Sequence, residues 1–198
     1  MTKNNLSDSL IIGVDEAGRG ALAGPVAVGV MLTAGDFSWP RLLPEVDDSK
    51  RLTPAKRAEI FLAAGELKTA GVLDFRVALT GAKLIDRVGI NPAVKLALGR
   101  ALSGLRRNGR LAGRAEIDLY SARVKLDGGL YAPKNYQNQQ TIIRGDQTES
   151  IIGLASILAK VWRDRYMTRL ATTKDYLPYG LSGHKLSLIH ISEPTRPY

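Results

Sequence analysis

Four acids in the chain stand where carboxylates can do chemistry. Asp15 and Glu16 follow the apolar run Leu10 to Val14 (LIIGV) and precede Ala17-Gly18-Arg19-Gly20. Asp127 ends VKLD before two glycines, and Asp146 follows Arg144-Gly145. A buried strand that ends on adjacent carboxylates is unfavourable unless something neutralises them, and a hard divalent cation does so with oxygen ligands. Taken alone, an Asp-Glu pair can equally cap a helix N-terminus, and each Asp-Gly or Gly-Asp is an ordinary turn. If a sheet brings Asp127 and Asp146 beside Asp15 at its carboxyl edge, the four together admit a two-metal site.

The surrounding pattern supplies such a sheet. Val26 to Leu32 (VAVGVML) has strand character, and Val72 to Leu79 (VLDFRVAL) alternates as a half-buried strand does, so these two and the first run are expected to form an antiparallel meander. Thr53-Pro54 reads as a helix start, with Ile60, Phe61 and Leu67 on one face. From Pro92 the residues Val94, Leu98, Ala101, Leu102 and Leu105 recur at helical spacing until Asn108-Gly109. Two more strands are expected, one ending at Asp127 and one over Thr141 to Ile143, each running into glycine and aspartate. The last helix spans Ile151 to about Ala171, with Ile151, Leu154, Ala155, Leu158, Trp162 and Tyr166 predicted on one inward face. No solenoid repeat or long low-complexity segment interrupts the order. Together these elements predict an α/β fold with a mixed sheet between helices.

Composition narrows the function classes. The 198 residues carry 28 Lys and Arg against 19 Asp and Glu, a formal +9, which favours a polyanionic partner through phosphate neutralisation. Absence of cysteine excludes thiolate chemistry and disulfides, and fits a cytoplasmic setting. Met1 to Ser9 is a polar extension without a secretory pattern, and no apolar run is long enough to span a membrane, so neither export nor membrane insertion is expected. Arg144-Gly145-Asp146 spells a cell-adhesion tripeptide, a reading that the missing secretion signal does not support. Gly18, Gly20 and Gly24 suggest a dinucleotide loop, but Ala23 breaks the spacing and acids precede the glycines. Ser49 and Lys50 are suited to phosphate contact, by hydroxyl and by point charge. Ser156 and Lys160, four residues apart, share a helix face, and Lys160 is a further phosphate candidate.

Five motifs in order carry a resemblance. GVDEAGRGALAGPV (Gly13 to Val26), DSKRLTPAKR (Asp48 to Arg57), GINPA (Gly89 to Ala93), LDGG (Leu126 to Gly129) and RGD followed by IIGLASILAKVWRD (Ile151 to Asp164) are similar to the signatures of ribonuclease HII. The similarity covers roughly Leu10 to Lys185. It implies a ribonuclease H-like fold with a central mixed five-stranded sheet. It also implies an endonuclease acting on RNA/DNA hybrids and 5′ of ribonucleotides embedded in duplex DNA, leaving a 3′-hydroxyl and a 5′-phosphate. Two divalent ions, Mg2+ or Mn2+, are implied on Asp15, Glu16, Asp127 and Asp146, one activating water and the other stabilising the leaving oxygen. Gly18, Arg19 and Gly20 are implied to read the ribonucleotide, where a backbone without Cβ atoms can approach a sugar edge. The resemblance further implies a monomer, with a sliding clamp as a partner of the full-length parent. The sister type, ribonuclease HIII, shares the fold and commonly has an extra N-terminal domain. Only nine residues precede the first strand here, which disfavours it.

After His184-Lys185 the resemblance stops. Leu186 to Arg196 (LSLIHISEPTR) is similar to a translated transposase-based sequencing-library adapter, so residues 186–198 are read as a non-native tail behind a catalytic domain over 10–185 that lacks its C-terminal part. Ser187 then stands where the family tyrosine at the RNA-to-DNA junction is expected. That opens an alternative in which the chain binds hybrids without cutting them. His190 is assigned no role, and His184 is as well explained as a turn residue.

Overall fold

The computed structural model of the protein describes residues 10–35, 52–113 and 117–174. Five strands form one mixed sheet: β1 (Leu10–Ala17), β2 (Val26–Ala34), β3 (Leu73–Thr80), β4 (Arg123–Asp127) and β5 (Gln139–Ile142), in the order β3-β2-β1-β4-β5. β1, β2 and β3 are the expected antiparallel meander. β4 and β5 then add parallel on the other side of β1, after crossovers. The α/β architecture and mixed five-stranded sheet are those predicted.

Strand alternation assigns the two faces. Leu10, Ile12 and Val14 of β1, Val28 and Val30 of β2, and Val124 and Leu126 of β4 pack against α3 (Ile90–Asn108), which buries Val94, Leu98, Ala101, Leu102 and Leu105. On the opposite face Met31, Leu73 and Phe75 meet α1 (Pro54–Thr69) and α5 (Ser150–Ala171). Thr53 caps α1 by accepting from Lys56 N at 3.2 Å, with Pro54 in the first turn.

α5 is the helix nearest the sheet centre. Every residue from Ile151 to Ala159 is buried, so this half is apolar all round except for Ser156, as suits a helix enclosed by sheet and neighbours. Gly13 and Gly29 make the approach possible: a Cβ at Gly29 would lie 2.3 Å from the carbonyl oxygen of Ala155, and one at Gly13 would lie 2.4 Å from that of Ile151. Two members of the predicted inward face depart from it. Trp162 and Tyr166 are exposed, because the second half of α5 runs past the sheet, and Trp162 rests against Phe61 of α1 with ring centroids 5.8 Å apart.

The short α2 (Ala82–Val88) was not foreseen; it buries no residue, so its sequence carries no amphipathic stripe to read. A one-turn helix, α4 (Gly145–Thr148), lies between β5 and α5.

Candidate active site

β1 outruns its parallel neighbour. Its ladder with β4 ends at Val14 opposite Leu126, whereas its antiparallel ladder with β2 continues through Asp15, Glu16 and Ala17. Asp15 and Glu16 therefore sit within the strand, not just past it as the apolar run suggested, but beyond the last parallel rung. Asp127 closes β4 one step further along the adjacent strand. Adjacent residues of a strand face opposite ways, so Asp15 and Asp127 lie on the α5 face and Glu16 on the α3 face, at one edge of the sheet.

Asp146 departs from the strand-end position expected for it. The chain leaves β5, turns at Arg144 in the left-handed region (φ 56°), and places Asp146 in α4. There its residue is only 2% exposed, and its main-chain N–H donates to Oδ1 of Asp127 at 3.3 Å. Gly145 packs closely here, a Cβ falling 2.6 Å from the movable tip of Ile152, Cδ1.

Burial sets the electrostatics. The Asp15 carboxyl is pushed up from its ordinary 3.8 to about 8, first by desolvation and further by the charges of Glu16 and Asp127. A hydrogen bond from Ser156 and the main-chain N–H of Glu16, 2.7 Å from Oδ1, pull the other way. Ser156 was singled out in the sequence only for sharing a face with Lys160; a hydroxyl inside an otherwise apolar helical stretch is the signal that marks it.

Asp15, Glu16 and Asp127 lie at one edge and the Asp146 main chain abuts Asp127, yet among the described residues no three acid or histidine side chains form a ready-made ligand cluster. The donor set fits a hard divalent cation all the same. It consists of carboxylate oxygens alone, and a buried Asp15 made costly by two neighbouring carboxylates is the group that a cation would relieve.

Comparison with known proteins identifies the family and the fold. The family model for ribonuclease HII matches residues 12–185. The chain is 41% identical to the ribonuclease HII of Geotalea daltonii over 176 residues, 88% of this chain and 70% of that protein. The chain belongs to the ribonuclease HII family. Among solved structures, it is similar to the PCNA:RNase HII complex from Archaeoglobus fulgidus at TM-score 0.66 and 21% identity, covering 93% of this chain and 83% of that one. The Mn2+ complex of Bst-RNase HIII matches at TM-score 0.60 and 18% identity, over 84% of this chain and 56% of that one. Both support the ribonuclease H-like fold.

As a ribonuclease HII, the chain is a ribonuclease H endonuclease, a hydrolase of RNA/DNA hybrids. Its remaining predicted site residues are placed unevenly. Gly18 (φ 99°) begins a turn whose tip, Arg19 and Gly20, is exposed beside Glu16. Arg19 is drawn back over the acid edge by an ion pair with Glu16 at 3.3 Å, and its Nη2 lies 3.5 Å from Asn91 Oδ1 of α3. Lys160 is half-buried on α5 and pairs with Asp164 at 2.5 Å. Ser49 and Lys50 lie outside the described residues, as do His184, Ser187 and the tail. Among the described residues no helix is long and apolar enough to cross a membrane.

Sequence reasoning missed Arg163. Buried on α5, it donates from Nε to the carbonyl of Pro25 and from Nη2 to that of Ala23, each at 2.9 Å. A charge within a helix reads as a solvated face, so the pattern gives Arg163 no role.

Proposed function

We propose that this ribonuclease HII incises the ribonucleotide-containing strand 5′ of a ribonucleotide embedded in duplex DNA, as well as RNA in hybrids, leaving a 3′-hydroxyl and a 5′-phosphate. Asp15, Glu16, Asp127 and Asp146 would hold two divalent ions, Mg2+ or Mn2+. Bound there, such ions supply Lewis-acid activation of water and charge stabilisation of the leaving oxygen. The observation that carries this reading is Asp15, buried against Asp127 and Glu16 with its carboxyl held up to about 8.

The protein's own groups prepare the site. Ser156 orients the Asp15 carboxyl, and the Asp146 main chain orients that of Asp127. The exposed Gly18-Arg19-Gly20 turn offers bare backbone next to Glu16, where a sugar carrying a 2′-hydroxyl can be distinguished from deoxyribose. The net charge of +9 supports binding of the polyanionic duplex, and Lys160, Ser49 and Lys50 are assigned to its phosphates. A second reading, hybrid binding without cleavage, rests on Ser187 in place of the family tyrosine.

The test is a labelled duplex with one ribonucleotide, incubated with Mg2+ or Mn2+ and either this chain or its Asp15→Asn variant. Incision 5′ of the ribonucleotide by the first and not the second is expected. Equal cleavage by both would overturn the site, and salt-sensitive binding with no product would favour the second reading.

A further inference from the structure

We propose that Arg163 is the positioning residue of the Gly18-Arg19-Gly20 turn, gripping its outgoing and return limbs with one guanidinium so that the turn keeps its place beside Glu16. The inference rests on the reading of that turn as a ribose-sensing element. On the return limb, Nε and Nη2 donate to Pro25 and Ala23 carbonyls at 2.9 Å each. On the outgoing limb, Gly18 lies against the same group: a Cβ there would be 2.3 Å from Nε and 2.8 Å from Cδ. Gly24 (φ 86°) is packed in the same way on Met167, with a Cβ falling 2.3 Å from Sδ. The glycines at 18 and 24 thus make room for α5 side chains, whereas a Cβ on Gly20 would meet nothing within 4 Å. The tip is open while its base is clamped.

α5 also bears on the acids. Ser156, which hydrogen-bonds Asp15, precedes Arg163 by seven residues, so the two contacts are about 10 Å apart along a rigid helix. One element thereby sets the spacing between a buried acid and the turn. Arginine suits the role because its planar fork presents two donors in fixed directions, whereas a lysine ammonium acts as a single flexible point. The neighbouring acid is engaged elsewhere, since Asp164 pairs with Lys160.

The test uses the full chain with Arg163→Met, which keeps much of the apolar stem, and Arg163→Lys. Amide exchange resolved by mass spectrometry reads the turn directly. Exchange over residues 18–25 is expected to rise about tenfold in Arg163→Met with β1 and the first half of α5 unchanged, and to be partly restored in Arg163→Lys. On the single-ribonucleotide duplex, KM should rise about tenfold while kcat stays within threefold. Wild-type exchange over 18–25 in a folded variant would overturn the proposal, and so would a fall in kcat with KM unchanged. Should Arg163→Met not fold, the Arg163→Lys exchange pattern decides in the same way. If the wild-type chain cleaves nothing, the nuclease reading fails separately, and the exchange measurement still judges the clamp.

Discussion

The main-chain N–H of Asp146 donates to Oδ1 of Asp127 at 3.3 Å, so the fourth acid is fastened to the third by its backbone. The contact ties α4, which follows a left-handed residue, to the end of β4. It also makes Asp127 both a candidate ligand and a local structural acceptor.

These two duties separate by substitution. Asp127→Asn retains an Oδ1 that can accept from Asp146 but loses the charge, so its melting temperature should stay near wild type while metal-dependent cleavage falls at least about a hundred-fold. Asp127→Ala loses the acceptor as well and should be less stable by about 1 kcal/mol. Paired thermal melts and cleavage assays check both. Equal melting of the two variants would remove the structural duty.

The Asp15 carboxyl gives a pH dependence with a definite sign. With an ordinary value of 3.8 and a folded value of about 8, both states hold the proton below about pH 4, and only the folded state holds it between there and pH 8. The unfolded state binds fewer protons in that window, so the metal-free protein loses stability as pH rises through it and levels off above. Asp15→Asn escapes this penalty. Its advantage should grow from nothing near pH 4 to, at most, on the order of 5 kcal/mol at pH 8, at about 1.36 kcal/mol per unit. Denaturation of metal-free wild type and variant across pH 4 to 9 measures it. A stability gap constant with pH would contradict the buried, protonated Asp15. Added Mg2+ or Mn2+ should stabilise the wild type increasingly toward pH 8, because the cation must displace the proton.

Much of this was legible because apolar runs and motif order are local signals. LIIGV and VAVGVML became the central strands, and the Val94 to Leu105 spacing became α3. The acids were found, but their setting was not. β1 continues through Asp15 and Glu16 because β2 extends the ladder, a long-range pairing that the apolar run cannot announce. Asp146 sits in a one-turn helix because Arg144 takes a positive φ, whereas Arg-Gly-Asp reads locally as a turn after a strand. Trp162 and Tyr166 obey the helical spacing but lie beyond the sheet, and Arg163 breaks the apolar pattern yet is buried by carbonyls from a loop 138 residues earlier.

Gly29 pairs across the ladder with Asp15 and receives the Ala155 carbonyl where a Cβ would stand, 2.3 Å away. The obstructing atoms, the Ala155 carbonyl and Ala159 N at 3.2 Å, are backbone, so neither can rotate aside. Gly29→Ala should therefore destabilise by about 1–3 kcal/mol or more, and push α5 off the sheet enough to weaken the Ser156 to Asp15 hydrogen bond. Chemical denaturation gives the first effect. The second should appear as a further rise in the Asp15 pKa by carboxyl infrared titration, and an unchanged titration would show that α5 shifts without moving Ser156.

Asp74 is the control for the buried site acids Asp15 and Asp146, being as hidden as Asp146 at 2% exposure but surrounded by donors. Its carboxylate accepts from Lys68 Nζ at 2.7 Å, Arg76 Nη1 at 2.9 Å, Phe75 N at 2.7 Å and Arg110 N at 3.0 Å, which joins α1, β3 and the segment after α3. A buried carboxylate so satisfied has a structural explanation, whereas Asp15 is opposed by its charged neighbours. Asp74→Asn should lower stability by about 3 kcal/mol, as breaking a buried charge network does. At a temperature where the variant remains folded, it should leave metal-dependent cleavage within about twofold, since its partners lie at the opposite end of β3 from Thr80, which pairs with Val26 beside the site turn. Denaturation curves and cleavage at 20 °C, on the order of room temperature, measure the two. Loss of cleavage in a folded Asp74→Asn protein would mean that satisfaction by donors fails to distinguish the structural acid from the chemical ones.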